Sequence, residues 1–107
     1  MKDKVFYGKG MQTLKKEDEE LYKTIVDLNE NVWNGKALDY KTQKLIAIGI
    51  AASNNDNGSI KKQMTSAKKE LNVTKDEIFD VLKIVLLTSG MPPFTNSVRI
   101  LNEVYNE

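Results

Sequence analysis

The 107-residue sequence contains no cysteine. It therefore cannot form a disulfide, use a thiolate as nucleophile or redox centre, or bind a metal through sulfur. Histidine is absent as well, so the commonest general base and the commonest metal ligand are both missing. Any catalysis must depend on Asp, Glu, Lys, Ser, Thr or Tyr side chains, or on a borrowed cofactor. The sequence itself indicates no cofactor and no metal site.

A long apolar run and a strong charge of one sign are also missing. The longest apolar run spans residues 45–52, which is far too short to cross a bilayer. The first ten residues carry charges but no apolar core of signal-peptide length. Sixteen basic and fifteen acidic residues leave a net charge of +1, so no bulk positive field attracts nucleic acid or an anionic membrane. We therefore expect a soluble cytoplasmic protein without a nucleic-acid or membrane partner.

The spacing of the apolar residues predicts one all-α domain of about five helices over residues 1–107. Strong period-two alternation is absent, and the two prolines are adjacent, at Pro92 and Pro93. The predicted helices cover residues 14–34, 40–54, 59–71 and 78–90, and a fifth begins near Phe94. A buried strand is the alternative for residues 45–52, because this run is short and contains three isoleucines.

Capping residues predict where several of these helices begin and end. Asp39 is a natural N-cap, and Thr74-Lys75-Asp76-Glu77 has the pattern of a capping box. Gly35 and Asn72 are suited to C-terminal ends, because both residue types adopt left-handed backbone angles at low cost. The segment Met91-Pro92-Pro93 is expected to break the chain between the last two helices.

Two features of the sequence suggest contacts with a second chain. Residues 1–16 carry Phe6, Tyr7 and Met11 without helical spacing, and we expect them to form an arm that docks on this chain or on a neighbour. The second and fourth predicted helices are apolar around most of their circumference. A domain this small cannot cover both completely, and the surplus would be an unusually large exposed patch on a monomer. We therefore expect a homo-oligomer.

Residues 38–97 resemble the carboxymuconolactone decarboxylase and alkylhydroperoxidase D-like family. The segment KTQKLIAIGIAASNN is similar to the family's hydrophobic helix, and SIKKQMTSAKKEL is similar to the helix that follows it. NVTKDEIFDVLKIVLLTSGMPP is similar to the next helix, which opens with a Thr-x-x-Glu box. The resemblance implies the alkylhydroperoxidase D-like helical bundle, assembled as a trimer or hexamer.

The positions that carry the family's chemistry have different residues in this chain. Redox members of the family carry a Cys-x-x-Cys at a helix start, a His four residues after the second Cys, and a Glu on the preceding helix. By resemblance, these positions fall on Asp56, Ser59, Gln63 and Lys44. The decarboxylase branch keeps the His, which is also absent here. The resemblance therefore supports the fold and argues against thiol peroxidase activity.

These four positions leave two classes of function open. One is a binding or assembly protein that holds a small acidic ligand, using Lys44 and the N–H groups of residues 54–58 at a helix start. The other is a lactone decarboxylase or a hydrolase in which Lys44 serves as the base for Ser59. Capping alone also accounts for Asp56 and Ser59, as part of a polar cluster without any ligand.

Overall fold

Six α-helices make up most of residues 9–106, which are the residues that the computed structural model describes. They are α1 (Lys9–Glu17), α2 (Glu19–Val32), α3 (Tyr40–Ser53), α4 (Asn57–Leu71), α5 (Lys75–Ser89) and α6 (Met91–Asn106). No strand occurs within the described range. The all-α prediction is confirmed, and residues 45–52 are helical, as favoured over the strand alternative. The number of helices is six rather than about five.

The additional helix arises because the predicted segment 14–34 is divided at Asp18. This residue has a φ of −152° and a ψ of 86°, and its carboxylate accepts the Leu21 N–H at 3.0 Å. Asp18 is therefore the N-cap of α2, and the prediction of one continuous helix was wrong. Helix α1 also includes Met11, so the expected lack of helical structure was wrong from residue 9 onwards. Phe6 and Tyr7 of the predicted arm lie outside the described residues.

The predicted caps are confirmed at helices α3 and α5. The Asp39 carboxylate accepts the Thr42 N–H at 2.8 Å, and Thr74 and Glu77 form both hydrogen bonds of the capping box. Asn72 ends α4 with a left-handed φ of 52°. Caps of this kind satisfy backbone groups that have no partner within the helix.

The prolines lie within the first turn of α6 rather than in a separate linker. Gly90, with a φ of 93°, is the only residue between α5 and α6. The chain therefore turns at Gly90, and the helix resumes at Met91. Proline is tolerated at Pro92 and Pro93 because N–H groups of a first turn have no acceptor within the helix.

The hydrophobic core lies among α3, α4, α5 and α6. Helix α3 packs against the other three, and α6 packs against α4 and α5. The largest apolar side chains of this core are at most 1% exposed to solvent; they are Ile48, Ile60, Met64, Ile78, Leu82 and Leu101. Ile60 and Met64 on α4, and Ile78 and Leu82 on α5, are each four residues apart, so each pair lies on one face of its helix.

Helices α1 and α2 form a pair that is attached to this core mainly through one end. Helix α1 packs against α2. In α2 the buried residue is Asn29, and Trp33 at the C-terminal end is also buried. The Trp33 indole N–H donates to Asn29 Oδ1 at 2.8 Å, and the Trp33 and Tyr40 rings meet edge to face at 5.3 Å. Through Trp33, the C-terminal end of α2 is held against the start of α3.

The apolar surplus predicted from the sequence is visible on α3 and α5. Ile46 and Ile50 of α3 are 47% and 59% exposed, and Ile84 and Leu87 of α5 are 63% and 86% exposed. We call these four residues the open face. None of the helices in residues 9–106 is long and apolar enough to cross a membrane.

The ion pair between Lys41 and Glu77 links the start of α3 to the start of α5. Lys41 Nζ lies 2.8 Å from Glu77 Oε2, and this contact holds the pKa of Glu77 below its ordinary value of 4.5. Because the pKa is lowered by folding, ionised Glu77 stabilises the native state above the unfolded-state pKa. This contribution is lost as the pH falls through the folded-state pKa.

We expect Glu77→Gln to lower the melting temperature slightly at pH 7 and to have a smaller effect as the pH falls below 4.5. Glutamine preserves the capping box, so the substitution isolates the charge. Circular dichroism melts of both proteins from pH 7 to pH 3 provide the measurement. A difference in melting temperature that does not change with pH would contradict this assignment.

Candidate functional site

The structure brings the four predicted site positions together where α3 meets α4. Lys44 lies on α3, Asp56 is the N-cap of α4, and Ser59 and Gln63 lie on the first two turns of α4. Three of them line a cavity of about 300 Å³, the exception being Lys44. The residues that line it are Ala47, Ile50, Ala51, Asn54, Asp56, Ser59 and Gln63.

The turn between α3 and α4 determines how the α4 residues are presented. Asn55 adopts a left-handed φ of 55°, which reverses the chain after α3. The Asp56 carboxylate then accepts the Ser59 N–H at 3.2 Å and begins α4. Because residues four apart lie on one face of a helix, Ser59 and Gln63 both face the cavity. The capping role expected for Asp56 is confirmed.

The side chain of Lys44 is fully buried behind the cavity wall. Its Nζ atom donates to Gln63 Oε1 at 2.9 Å. The same atom lies 4.3 Å from the centre of the Trp33 ring and 5.5 Å from that of Tyr40, within cation–π distance of both. Lys44 therefore connects Trp33, at the C-terminal end of α2, to Gln63 in the wall of the cavity.

The bond from Lys44 determines which end of the Gln63 carboxamide faces the ammonium group. An ammonium group only donates hydrogen bonds, so it selects the carbonyl oxygen of the amide. The Gln63 Nε2 group, with its two N–H donors, is thereby turned away from Lys44. Gln63 lines the cavity and is only half-buried. The cavity thus combines the polar carboxamide of Gln63 with apolar walls from Ala47 and Ile50.

The proposed Lys44 and Ser59 pair is placed less favourably for nucleophilic catalysis. Ser59 is exposed, and its backbone N–H is committed to Asp56. Gln63 is the cavity residue to which the Lys44 amine donates. Ser59 and Gln63 are one turn apart, which is about 6 Å along the axis of α4. A catalytic pair requires the base within hydrogen-bonding distance of the nucleophile.

Some parts of the site were not predicted from the sequence. The aromatic rings around Lys44 come from Trp33 and Tyr40, for which the sequence predicts no contact with the pocket. The apolar wall formed by Ala47 and Ile50 was not predicted either. The sequence signal for Trp33 is its spacing of four residues from Asn29, which places the two on the same side at the C-terminal end of α2.

Acidic side chains do not form a metal site in the described part of the chain. Within residues 9–106 no group of three or more carboxylates is arranged to hold a metal ion. Asp56 is used as a cap instead.

Comparison with known protein families and proteins identifies one matching family and two similar proteins. The profile of the carboxymuconolactone decarboxylase family matches residues 19–103. The uncharacterized protein MJ0742 of Methanocaldococcus jannaschii is 59% identical over 104 residues, covering 97% of this chain and 100% of that protein. The uncharacterized protein MJ1511 of the same organism is 35% identical over 94 residues, covering 88% and 87%.

A solved structure shows the same arrangement of helices. The crystal structure of apo-lpg0406, a carboxymuconolactone decarboxylase family protein from Legionella pneumophila, superposes with a TM-score of 0.81. The match covers 91% of this chain and 86% of that chain, at 25% sequence identity.

Proposed function

The chain belongs to the carboxymuconolactone decarboxylase family, and on this premise we propose that it binds a small acidic ligand without thiol peroxidase activity. The loss of peroxidase activity is supported by the sequence, which contains neither cysteine nor histidine. The family's redox positions are occupied by Asp56, Ser59, Gln63 and Lys44. None of these side chains forms a disulfide or carries an imidazole that could relay protons at neutral pH.

The observation that carries the proposal is the fixed orientation of Gln63. Lys44 holds the carbonyl oxygen, which selects one of the two flipped orientations of the amide, and we expect its Nε2 donors to face the ligand. A hydrogen bond from the ammonium also polarises the amide and strengthens the donors. A ligand carboxylate accepts hydrogen bonds of this kind, while its apolar part would contact Ala47 and Ile50.

The Asp56 carboxylate does not conflict with an acidic ligand at Gln63. Asp56 and Gln63 are seven residues apart, which is about 10 Å along the axis of α4 and close to the screening length of physiological salt. The Asp56 charge lies at the start of the helix, where it accepts the Ser59 N–H and complements the helix dipole. The ligand carboxylate is therefore expected at the Gln63 end of the cavity.

Titration with matched pairs of small molecules tests the proposal. The probes are linear monocarboxylates of four to eight carbons and the corresponding primary alcohols. We expect each carboxylate to bind at least about tenfold more tightly than its alcohol, since a hydrogen bond to a charged group contributes more than one to a neutral group. Calorimetry gives the affinity, and the emission of Trp33, the only tryptophan in the sequence, is recorded as a second signal because its ring lies against Lys44, the partner of Gln63. Equal affinities for acids and alcohols, or no binding of any acid, would overturn the proposal.

The enzyme alternative is tested with the same protein. A lactone decarboxylase or hydrolase that used Lys44 and Ser59 would turn over lactones or esters and would lose this activity in Ser59→Ala. The enclosed position of Lys44 favours the binding function instead.

We also propose that the chain assembles into a trimer or hexamer, as expected from the resemblance. The exposed residues of the open face support this, because an apolar surface of this kind is unusual on a monomer. The cytoplasmic location expected from the sequence stays a prediction.

A further inference from the structure

A second apolar groove lies directly beside the ligand cavity, between the C-terminal end of α2 and helix α3. It has a volume of about 300 Å³, and we call it the tail groove. Its own lining residues are Val32, Trp33, Leu38, Gln43 and Ile46. Ala47 and Ile50 line both the tail groove and the ligand cavity, so the two spaces share one wall. Each alone is at the small end of the range of ligand pockets, about 300–1,000 Å³, and together they lie well inside it.

Lys44 links the wall of the ligand cavity to the wall of the tail groove. Its Nζ atom lies 2.9 Å from Gln63 Oε1 on the cavity side and 4.3 Å from the centre of the Trp33 ring on the groove side. One ammonium group therefore separates Gln63, which lines the cavity, from Trp33, which lines the groove. The residue that we propose to bind the ligand carboxylate thus lies next to the boundary between the two spaces.

Another apolar groove, between α3 and α5, is further from Gln63. It shares Ile50 and Asn54 with the ligand cavity. Asn54 follows Lys44, the partner of Gln63, by ten residues, which is about 15 Å along the axis of α3. Ala47 follows Lys44 by three residues, which is about 5 Å along the same axis. An apolar chain that starts at Gln63 therefore reaches the tail groove, across Ala47, before it reaches the groove beside α5.

The polar groups of the tail groove are engaged within the protein, whereas its aliphatic side chains are open to solvent. The Trp33 indole N–H donates to Asn29 Oδ1 at 2.8 Å, and Gln43 Nε2 donates to the Val32 carbonyl oxygen at 2.9 Å. Gln43 Oε1 is buried. Val32 and Leu38 are 53% and 47% exposed. The groove therefore presents an apolar surface, which suits a hydrocarbon chain better than a polar group.

We propose that the tail groove holds the aliphatic chain of the ligand whose carboxylate binds Gln63. The inference rests on the proposed function and narrows its ligand to an aliphatic acid of medium chain length, without polar groups along the chain. The carboxylate lies in the cavity, and the chain crosses Ala47 and lies against Val32 and Leu38. Binding then removes apolar surface of both the chain and the groove from water, which is favourable.

Calorimetric titration with butanoate, hexanoate and octanoate, and with the corresponding primary alcohols, measures the contribution of the chain. We expect each added methylene group to increase the affinity about two- to fourfold in both series, because it moves from water to the apolar wall of the groove. We also expect saturating octanoate to shift the emission of Trp33 more than saturating butanoate does, because Trp33 lines the tail groove.

Two substitutions, Leu38→Ala and Val32→Ala, locate the chain. Both residues belong to the wall of the tail groove and lie outside that of the ligand cavity. We expect each substitution to weaken the binding of octanoate about three- to tenfold and to change that of butanoate less than about twofold. Ile84→Ala is the matched control, because it removes a similarly exposed apolar side chain from the groove between α3 and α5. We expect it to leave the affinity for octanoate unchanged.

Three outcomes would overturn the inference. They are an octanoate affinity no higher than that of butanoate, an octanoate affinity unchanged in both Leu38→Ala and Val32→Ala, and a loss of affinity in Ile84→Ala instead. The substitutions are at exposed positions, and circular dichroism melts verify that each variant is folded. Failure of the proposed function is distinguishable, because the acids would then bind no better than the alcohols, while the alcohol series would still show whether the tail groove holds the chain.

Discussion

Replacing Lys44 with alanine is expected to lower the free energy of unfolding by about 3 kcal/mol. The side chain is fully buried, so its removal leaves a cavity among Trp33, Tyr40 and Gln63. It also leaves Gln63 Oε1 without the donor that it has in the native protein. Both effects act in the same direction, and urea denaturation followed by circular dichroism measures their sum.

Lys44→Met separates the two contributions. Methionine retains most of the buried aliphatic stem and removes the ammonium group, so we expect a smaller loss of about 1–2 kcal/mol. A loss below about 0.5 kcal/mol in Lys44→Ala, which is the scale of surface substitutions, would show that Lys44 is not enclosed as described. The result also decides how activity data are interpreted, since a Lys44→Ala protein combines lost chemistry with lost stability.

Gln63→Leu is expected to weaken the binding of hexanoate by about 10- to 100-fold. The estimate follows from the loss of a hydrogen bond to a charged group, which contributes about 1.5–3 kcal/mol. Leucine has nearly the same volume, so the shape of the cavity is retained. Gln63→Glu is expected to weaken binding at least as much, because its carboxylate repels the ligand and forms an ion pair with Lys44.

Calorimetric titration of both variants with hexanoate provides the measurement. Gln12→Leu is the matched control, because it makes the same substitution at an exposed position on α1. We expect its affinity for hexanoate to equal that of the wild type. Unchanged affinity in Gln63→Leu would place any bound carboxylate outside this cavity.

Local signals in the sequence were sufficient to predict most of the helices that form the core. Apolar spacing and caps such as Asp39 and the Thr74 box act within one helix, and they predicted where α3, α4 and α5 lie. The division between α1 and α2 was missed because Asp18 lies within a run of four acidic residues. Acidic residues favour both the cap and the first turn of a helix, so their presence does not show which of the four begins α2.

The site could be predicted only in part, because its decisive contact joins distant segments. The resemblance to the family pointed to all four positions, and the capping role of Asp56 also follows from its residue type. The complete burial of Lys44 could not be predicted, since it depends on Trp33 packing across the start of α3. A lysine in an isolated sequence is expected at the surface, and tertiary packing overrides that expectation here.

The Gln63 side-chain amide gives the most direct test of the central claim, that Lys44 fixes this group as the donor to a ligand carboxylate. Its two Nε2–H resonances in a ¹H–¹⁵N correlation spectrum are identified by their absence in Gln63→Leu. We predict that hexanoate shifts both resonances of the wild-type protein and that 1-hexanol does so much less. Resonances that stay in place while hexanoate binds, or that move equally with the alcohol, would contradict the account.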